Sequence, residues 1–205
     1  MARAKICGLR TRETWLAATD AGADWVGFVF FPRSPRFVTI EALKAIGADG
    51  RVPRVGLFVA PTPEAIETVL KVQDLEVLQI YAGAKECRAM RARFGARLWR
   101  AVGVSSTADL PHDDEGLDGF VIESKPPQGA DRPGGNATAF DWAVMQGWRA
   151  PAPWLLAGGL TPANVAGAVR ASGAAAVDVS SGVESAPGEK SVLLIRDFVA
   201  AAHAA

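Results

Sequence analysis

Short apolar runs alternate along this chain with longer stretches in which apolar residues recur every three or four positions. Eight runs stand out: Ala4 to Gly8, Trp25 to Phe30, Arg54 to Val59, Val77 to Tyr81, Leu98 to Gly103, Gly119 to Glu123, Trp154 to Ala157 and Ala175 to Val179. Most are apolar on consecutive residues, as strands covered on both faces must be. Between them Thr11 to Ala21, Thr39 to Ala48, Pro63 to Val72, Ala84 to Phe94, Pro162 to Ala171 and Lys190 to Ala202 read as helices. In the first, Trp15, Leu16, Ala18 and Thr19 share a face behind a Thr11 cap. Pro63 and Pro162 each follow a threonine, the order expected of a cap and a first-turn proline. Ser105 to Asp118 and Phe140 to Gln146 support only short helices. Strand and helix alternating in this way predict an α/β fold, a single (β/α)8 TIM barrel over residues 1–205.

Length and composition fit that reading. A chain of 205 residues that is 49% hydrophobic buries one sizeable core and lies near the lower size limit of such a barrel. No Pro/Ser-rich linker divides it. Lys plus Arg and Asp plus Glu number 22 each, scattered rather than blocked, so no nucleic-acid footprint is visible. No run approaches the ~18 apolar residues of a membrane span, and Met1 to Lys5 leads into a strand with no apolar signal segment. Two cysteines, Cys7 and Cys87, fit a reducing cytoplasm. His112 falls in a predicted loop and His203 in the tail, and nothing has metal-ligand spacing, so no metal is expected. Monomer and homodimer are equally compatible with the sequence.

The candidate chemistry lies where strands end. Trp154-Leu155-Leu156-Ala157 stops on Gly158-Gly159, and Val177-Asp178-Val179 stops on Ser180-Ser181-Gly182. Bare backbone N–H groups followed by a helix start bind anions without a lysine. In this barrel the loops after the seventh and eighth strands commonly hold phosphate. A phosphorylated small molecule is therefore the expected ligand. On the same face strand ends deliver Cys7, Gln79, Tyr81, Arg100, Glu123 and Asp178, and the second strand leads to Arg33 and Arg36. Cys7 reads either as a small buried hydrophobe or as a reactive thiol. Glu123 closes an apolar strand, where burial is costly unless the group is paired or neutral, so an acid with a raised pKa is expected there. Asp178 reads either as a ligand contact or as a group that orients a neighbour. Lys5, two residues before Cys7, shares its side of the strand but sits lower, which makes it a poor source of positive field for the thiol. Ser124 to Ala139, rich in Pro and Gly, reads as a lid over the same face.

Several segments together resemble the phosphoribosylanthranilate isomerase family. They are Lys5-Ile6-Cys7-Gly8, Gly27 through Arg36, Val55-Gly56-Leu57-Phe58-Val59, Gly134-Gly135 through Phe140-Asp141-Trp142, Ala157-Gly158-Gly159-Leu160 with Asn164-Val165, and Val177 through Glu184. The resemblance implies a cofactor-free Amadori rearrangement by general acid–base catalysis. It implies Cys7 as base and Arg36 near the anthranilate carboxylate. The phosphate grip it implies comprises Gly158, Gly159, Ser180, Ser181 and the Gly134-Gly135 loop. Three positions depart from the family pattern. Glu123 stands where the family has an aspartate acid, Tyr81 where it has histidine, and Ala137 closes a run that ends in glycine. Two other readings follow from those departures: another phosphosugar barrel enzyme that shares only the phosphate site, and a phosphosugar-binding barrel with altered substrate or lost catalysis.

Overall fold

The structure is a computed structural model and describes residues 1–47, 49–125 and 141–205. Eight parallel strands close into one barrel in sequence order: β1 (Arg3–Cys7), β2 (Trp25–Val29), β3 (Arg54–Val59), β4 (Val77–Tyr81), β5 (Arg97–Val104), β6 (Gly119–Ser124), β7 (Trp154–Leu156) and β8 (Ala176–Val179). Helices α1 (Arg12–Asp20), α2 (Ile40–Ile46), α3 (Pro63–Leu70), α4 (Ala84–Phe94), α5 (Val165–Ser172) and α6 (Val192–His203) surround it. Each apolar run identified in the sequence is a strand. Among the described residues, the fifth and sixth connections each carry a single 3-10 turn, Thr107–Asp109 and Trp142–Met145.

Two helix starts differ from the pattern. Thr11, Thr39 and Thr62 do cap α1, α2 and α3 through their hydroxyls. Pro162, however, lies ahead of α5, because the Asn164 amide closes a turn first: its Oδ1 accepts from Thr161 N at 2.8 Å and its Nδ2 donates to Gly159 O at 2.9 Å. Lys190 likewise does not open α6. It belongs to a two-stranded hairpin, β9 (Glu184–Ala186) and β10 (Glu189–Lys190), and Ser191 caps the helix after it. His203 is the last residue of α6 rather than free tail, with Nε2 3.2 Å from Asp24.

Side chains alternate between the two faces along each strand, and both faces are buried. Outward residues such as Ile6, Phe28, Phe58, Leu78, Leu98, Phe120, Ile122, Leu156 and Val177 form the core shared with the helices. Inward residues form layers of four drawn from alternate strands, as the stagger of this barrel requires. The lower end is filled by Trp25, Val55, Val77, Trp99, Val121, Leu155 and Ala176, with Trp25 and Trp99 edge to face at 5.5 Å. Following the register upward, Gly27, Gln79 and Asp178 share the next level, then Cys7, Leu57, Ala101 and Ala157, then Val29, Tyr81, Glu123 and Ser180 at the mouth. The packed base is apolar, and the polar residues gather at the end where strands run out.

Candidate active site

Cys7 ends β1, buried against Val29 and Leu57, with Phe31, Val59 and Tyr81 around them. Burial pushes its thiol up; Lys5 is the largest influence in the other direction, and Lys190 adds to it. Lys5 is wholly buried, and its Nζ lies 2.9 Å from Asp178 Oδ1. A Cβ added to Gly27 would meet Cys7 Sγ at 2.9 Å and Lys5 Nζ at 3.2 Å, so the bare glycine makes room for thiol and ammonium together. This overturns the expectation that Lys5 sits too low to matter. Its Cα is below that of Cys7, but the flexible four-carbon stem lifts the charge to the thiol's level. Burial disfavours that charge, and Asp178 and Cys7 more than offset it, so the Lys5 pKa ends up raised. Asp178 has an observed neighbour to orient, and it is Lys5.

Glu123 is 5% exposed, and its Oε1 has no hydrogen-bond partner among the described residues. Burial pushes this carboxyl up to about 8, against the counter-pull of the Tyr81 hydroxyl and with a push from the nearby Asp178 charge. At neutral pH it therefore carries a proton. Tyr81 is influenced by Glu123, Cys7 and Asp178 alike, which puts thiol, carboxyl and phenol around one space at the barrel mouth. Gln79, one level deeper, is fully buried with both amide atoms unpartnered among the described residues. Such groups are costly unless something hydrogen-bonds them.

The loops after β7 and β8 depend on glycine. Gly158 and Gly159 adopt φ of +87° and +65°, a conformation that L side chains seldom reach, and Asn164 fixes the turn behind them. Ser180 Oγ donates to Cys7 O at 3.1 Å and so ties the β8 loop to the thiol's own backbone. A Cβ on Gly182 would fall 1.7 Å from Leu160 O, so the β7 and β8 loops interlock only with glycine there. Ser181 opens the 3-10 turn over Ser181–Val183 that follows β8. Arg36 is 5% exposed and is held by Glu184, with Nε to Oε1 at 2.7 Å and Nη2 to Oε2 at 2.8 Å.

The family model for N-(5'phosphoribosyl)anthranilate (PRA) isomerase matches residues 4–201. The chain belongs to this family. It is 92% identical, over 205 residues and 100% of both chains, to the N-(5'-phosphoribosyl)anthranilate isomerase of Acidiphilium cryptum (strain JF-5). To that of Paramagnetospirillum magneticum it is 47% identical over 206 residues, covering 97% of this chain and 96% of the relative. Among solved structures, the phosphoribosyl anthranilate isomerase of Thermotoga maritima superposes with a TM-score of 0.86 at 34% identity, over 100% of both chains. A phosphoribosyl anthranilate isomerase in complex with reduced 1-(o-carboxyphenylamino)-1-deoxyribulose 5-phosphate matches with a TM-score of 0.82, also at 34% identity and 100% coverage of each.

Against the sequence expectations, Cys7, Arg36, Glu123, Gly158, Gly159, Asp178, Ser180 and Ser181 all lie at the C-terminal end of the barrel or in the loops beyond it. Gly134, Gly135, Asn136 and Ala137, with the rest of residues 126–140, lie outside the described residues. Arg33 is exposed. Arg100 does not join the site: it occupies an outward position of β5, pairs with Glu115 and lies over the Phe120 ring. Asp118 is turned away too, bound by Arg91 and by Leu98 N near the start of β5. Glu184 and Lys190 were missed. The first is only the end of a family segment, and the second falls at the start of a helix in the sequence pattern. The two departures Glu123 and Tyr81 prove to be neighbours in one layer. A longer acid and a phenol occupy that corner together.

Proposed function

We propose that this chain isomerises N-(5'-phosphoribosyl)anthranilate to 1-(2-carboxyphenylamino)-1-deoxyribulose 5-phosphate, with Glu123 as general acid and Cys7 as general base. The observation that carries the assignment is the grouping of a buried neutral acid with a thiol that has a cation beside it. A carboxyl held protonated at neutral pH shares the mouth with a thiol that has Lys5 beside it.

The chemistry follows from those states. Glu123 gives its proton to the furanose ring oxygen as the C1–O bond breaks, and the anilino nitrogen lone pair forms a protonated Schiff base. The Cys7 thiolate then takes the proton from C2. That C–H pair becomes the C1=C2 bond, and the imine π pair returns to nitrogen. The resulting enolamine ketonises as C1 gains a proton and the C2 hydroxyl loses one. The thiolate needs a counter-charge in so dry a place, and the Lys5 ammonium supplies it. Gly158, Gly159, Ser180 and Ser181 bind the phosphate, and Arg36 faces the anthranilate carboxylate. Gly134 and Gly135 complete the grip in this reading.

Purified chain given enzymatically generated phosphoribosylanthranilate tests this through the decay of anthranilate fluorescence. Turnover is expected in the wild type and should fall by roughly 100-fold or more in Cys7→Ala, with binding of the reduced product retained. Full activity in Cys7→Ala, or no product from wild type, overturns the assignment.

A further inference from the structure

The hairpin after β8 builds a charge cluster that reaches beyond the acid–base pair, although its Lys190 also acts on the Cys7 thiol. The Lys190 side chain is 1% exposed. Its Nζ lies 2.8 Å from Glu184 Oε1, 2.8 Å from Ser180 O and 3.1 Å from Ser180 Oγ. Glu184 is saturated. Its Oε1 accepts from Lys190 and from Arg36 Nε at 2.7 Å, and its Oε2 accepts from Arg36 Nη2 at 2.8 Å and from Gly188 N at 3.2 Å. Gly188 has φ +85°, and a Cβ there would fall 2.4 Å from Pro35 O, so the hairpin tip presses on the loop that carries Arg36.

Two consequences follow. First, a guanidinium presents two usable edges to planar anions. Glu184 takes the Nε/Nη2 edge, which leaves the edge bearing Nη1 for another carboxylate. Second, one glutamate alone would neutralise Arg36. Burial lowers the Lys190 pKa while Glu184 pulls it back up; as an ammonium Lys190 adds a second cation around that single anion, and the cluster then carries one net positive charge beside the site. Burial works against the ionisation of Glu184, yet its bonds to Arg36 and Lys190 hold the carboxyl below its ordinary range. Charge in a water-poor setting acts strongly on a ligand anion.

We propose that Lys190 is a positioning residue that sets the charge of the carboxylate pocket: by engaging Glu184 it frees Arg36 to bind the ligand's carboxylate, and through Ser180 it ties that pocket to the phosphate loop. The proposal rests on the assignment of Arg36 to the carboxylate. It predicts an effect that fold support alone does not. In Lys190→Met the cluster is Arg36 against Glu184, net zero. In Lys190→Met with Glu184→Gln it is Arg36 alone, net plus one again.

The test measures the affinity of the full chain for reduced 1-(o-carboxyphenylamino)-1-deoxyribulose 5-phosphate and for the same compound without its carboxylate. Unfolding curves verify that each variant is folded. Lys190→Met should weaken the carboxylated ligand by on the order of 30-fold or more, with KM rising more than kcat falls, and should affect the decarboxylated ligand much less. Adding Glu184→Gln should recover most of the lost discrimination. If Lys190→Met loses both ligands equally, or if the double variant recovers nothing, the proposal fails while Arg36 keeps its role. If wild type binds the two compounds alike, the carboxylate assignment of Arg36 falls and the proposal with it.

Discussion

Glu123→Gln separates two consequences of burying one acid. The carboxyl stands at about 8 in the folded chain against an ordinary value of 4.5. Between those values the native state holds a proton that the unfolded chain has released. The unfolded state then binds fewer protons, so stability falls as pH rises. The loss begins above the unfolded pKa, grows by roughly 1.4 kcal/mol per pH unit and levels off above about 8. Across the window it amounts to about 4 to 5 kcal/mol, a large share of the ~5–15 kcal/mol that holds a domain folded. Glutamine has the same shape and no charge, so it lacks this slope. Urea unfolding followed by tryptophan fluorescence, run from pH 5 to 9 on both proteins, reads the difference directly. The two stabilities should meet near pH 5 and separate with rising pH, the variant becoming the more stable. Turnover of the same variant should drop by roughly 100- to 10,000-fold, the range typical of a lost general acid. Curves that run parallel between pH 5 and 8 would refute the reasoning, because a carboxyl already ionised at neutrality cannot serve as the proton donor.

Other outcomes follow from the same geometry. Lys5→Met leaves Asp178 buried without its cation and should cost about 3–5 kcal/mol of stability. Replacing both partners, Lys5→Met with Asp178→Leu, should restore much of that stability but not turnover, since the thiolate's counter-charge is gone; unfolding curves beside activity distinguish the two. Tyr81→Phe removes the hydroxyl that favours ionised Glu123, so the limb of the kcat/KM profile that titrates Glu123 should move to higher pH. A limb unmoved or shifted downward would show that the phenol does not act on the acid.

The eight strands were legible because parallel strands covered on both faces must be apolar on consecutive residues, and that constraint is local. The threonine caps were legible for the same reason, since a hydroxyl bonds an amide three residues on. Gly158-Gly159 and Ser180-Ser181-Gly182 marked the turns after β7 and β8, as residues with little or no side chain do. The start of α5 misled: Thr161-Pro162 has the order of a cap, but Asn164 reaches back to Gly159 and delays the helix. Lys190 misled as well, because only the hairpin's return places it on Ser180 and Glu184.

What the sequence determined by itself was the barrel, the end of it where polar residues gather, and the placing of Cys7 and Glu123 at strand ends there. Each depends on periodicity or on residues adjacent in the chain. What only the tertiary structure decided was how charges are shared: Lys5 with Asp178 and Cys7, Arg36 with Glu184 and Lys190, Glu123 with Tyr81. These partners are 148 residues apart for Arg36 and Glu184 and 173 for Lys5 and Asp178. Barrel closure brings β1 against β8, and the energy of a buried charge depends on what closure sets beside it rather than on its neighbours in the chain.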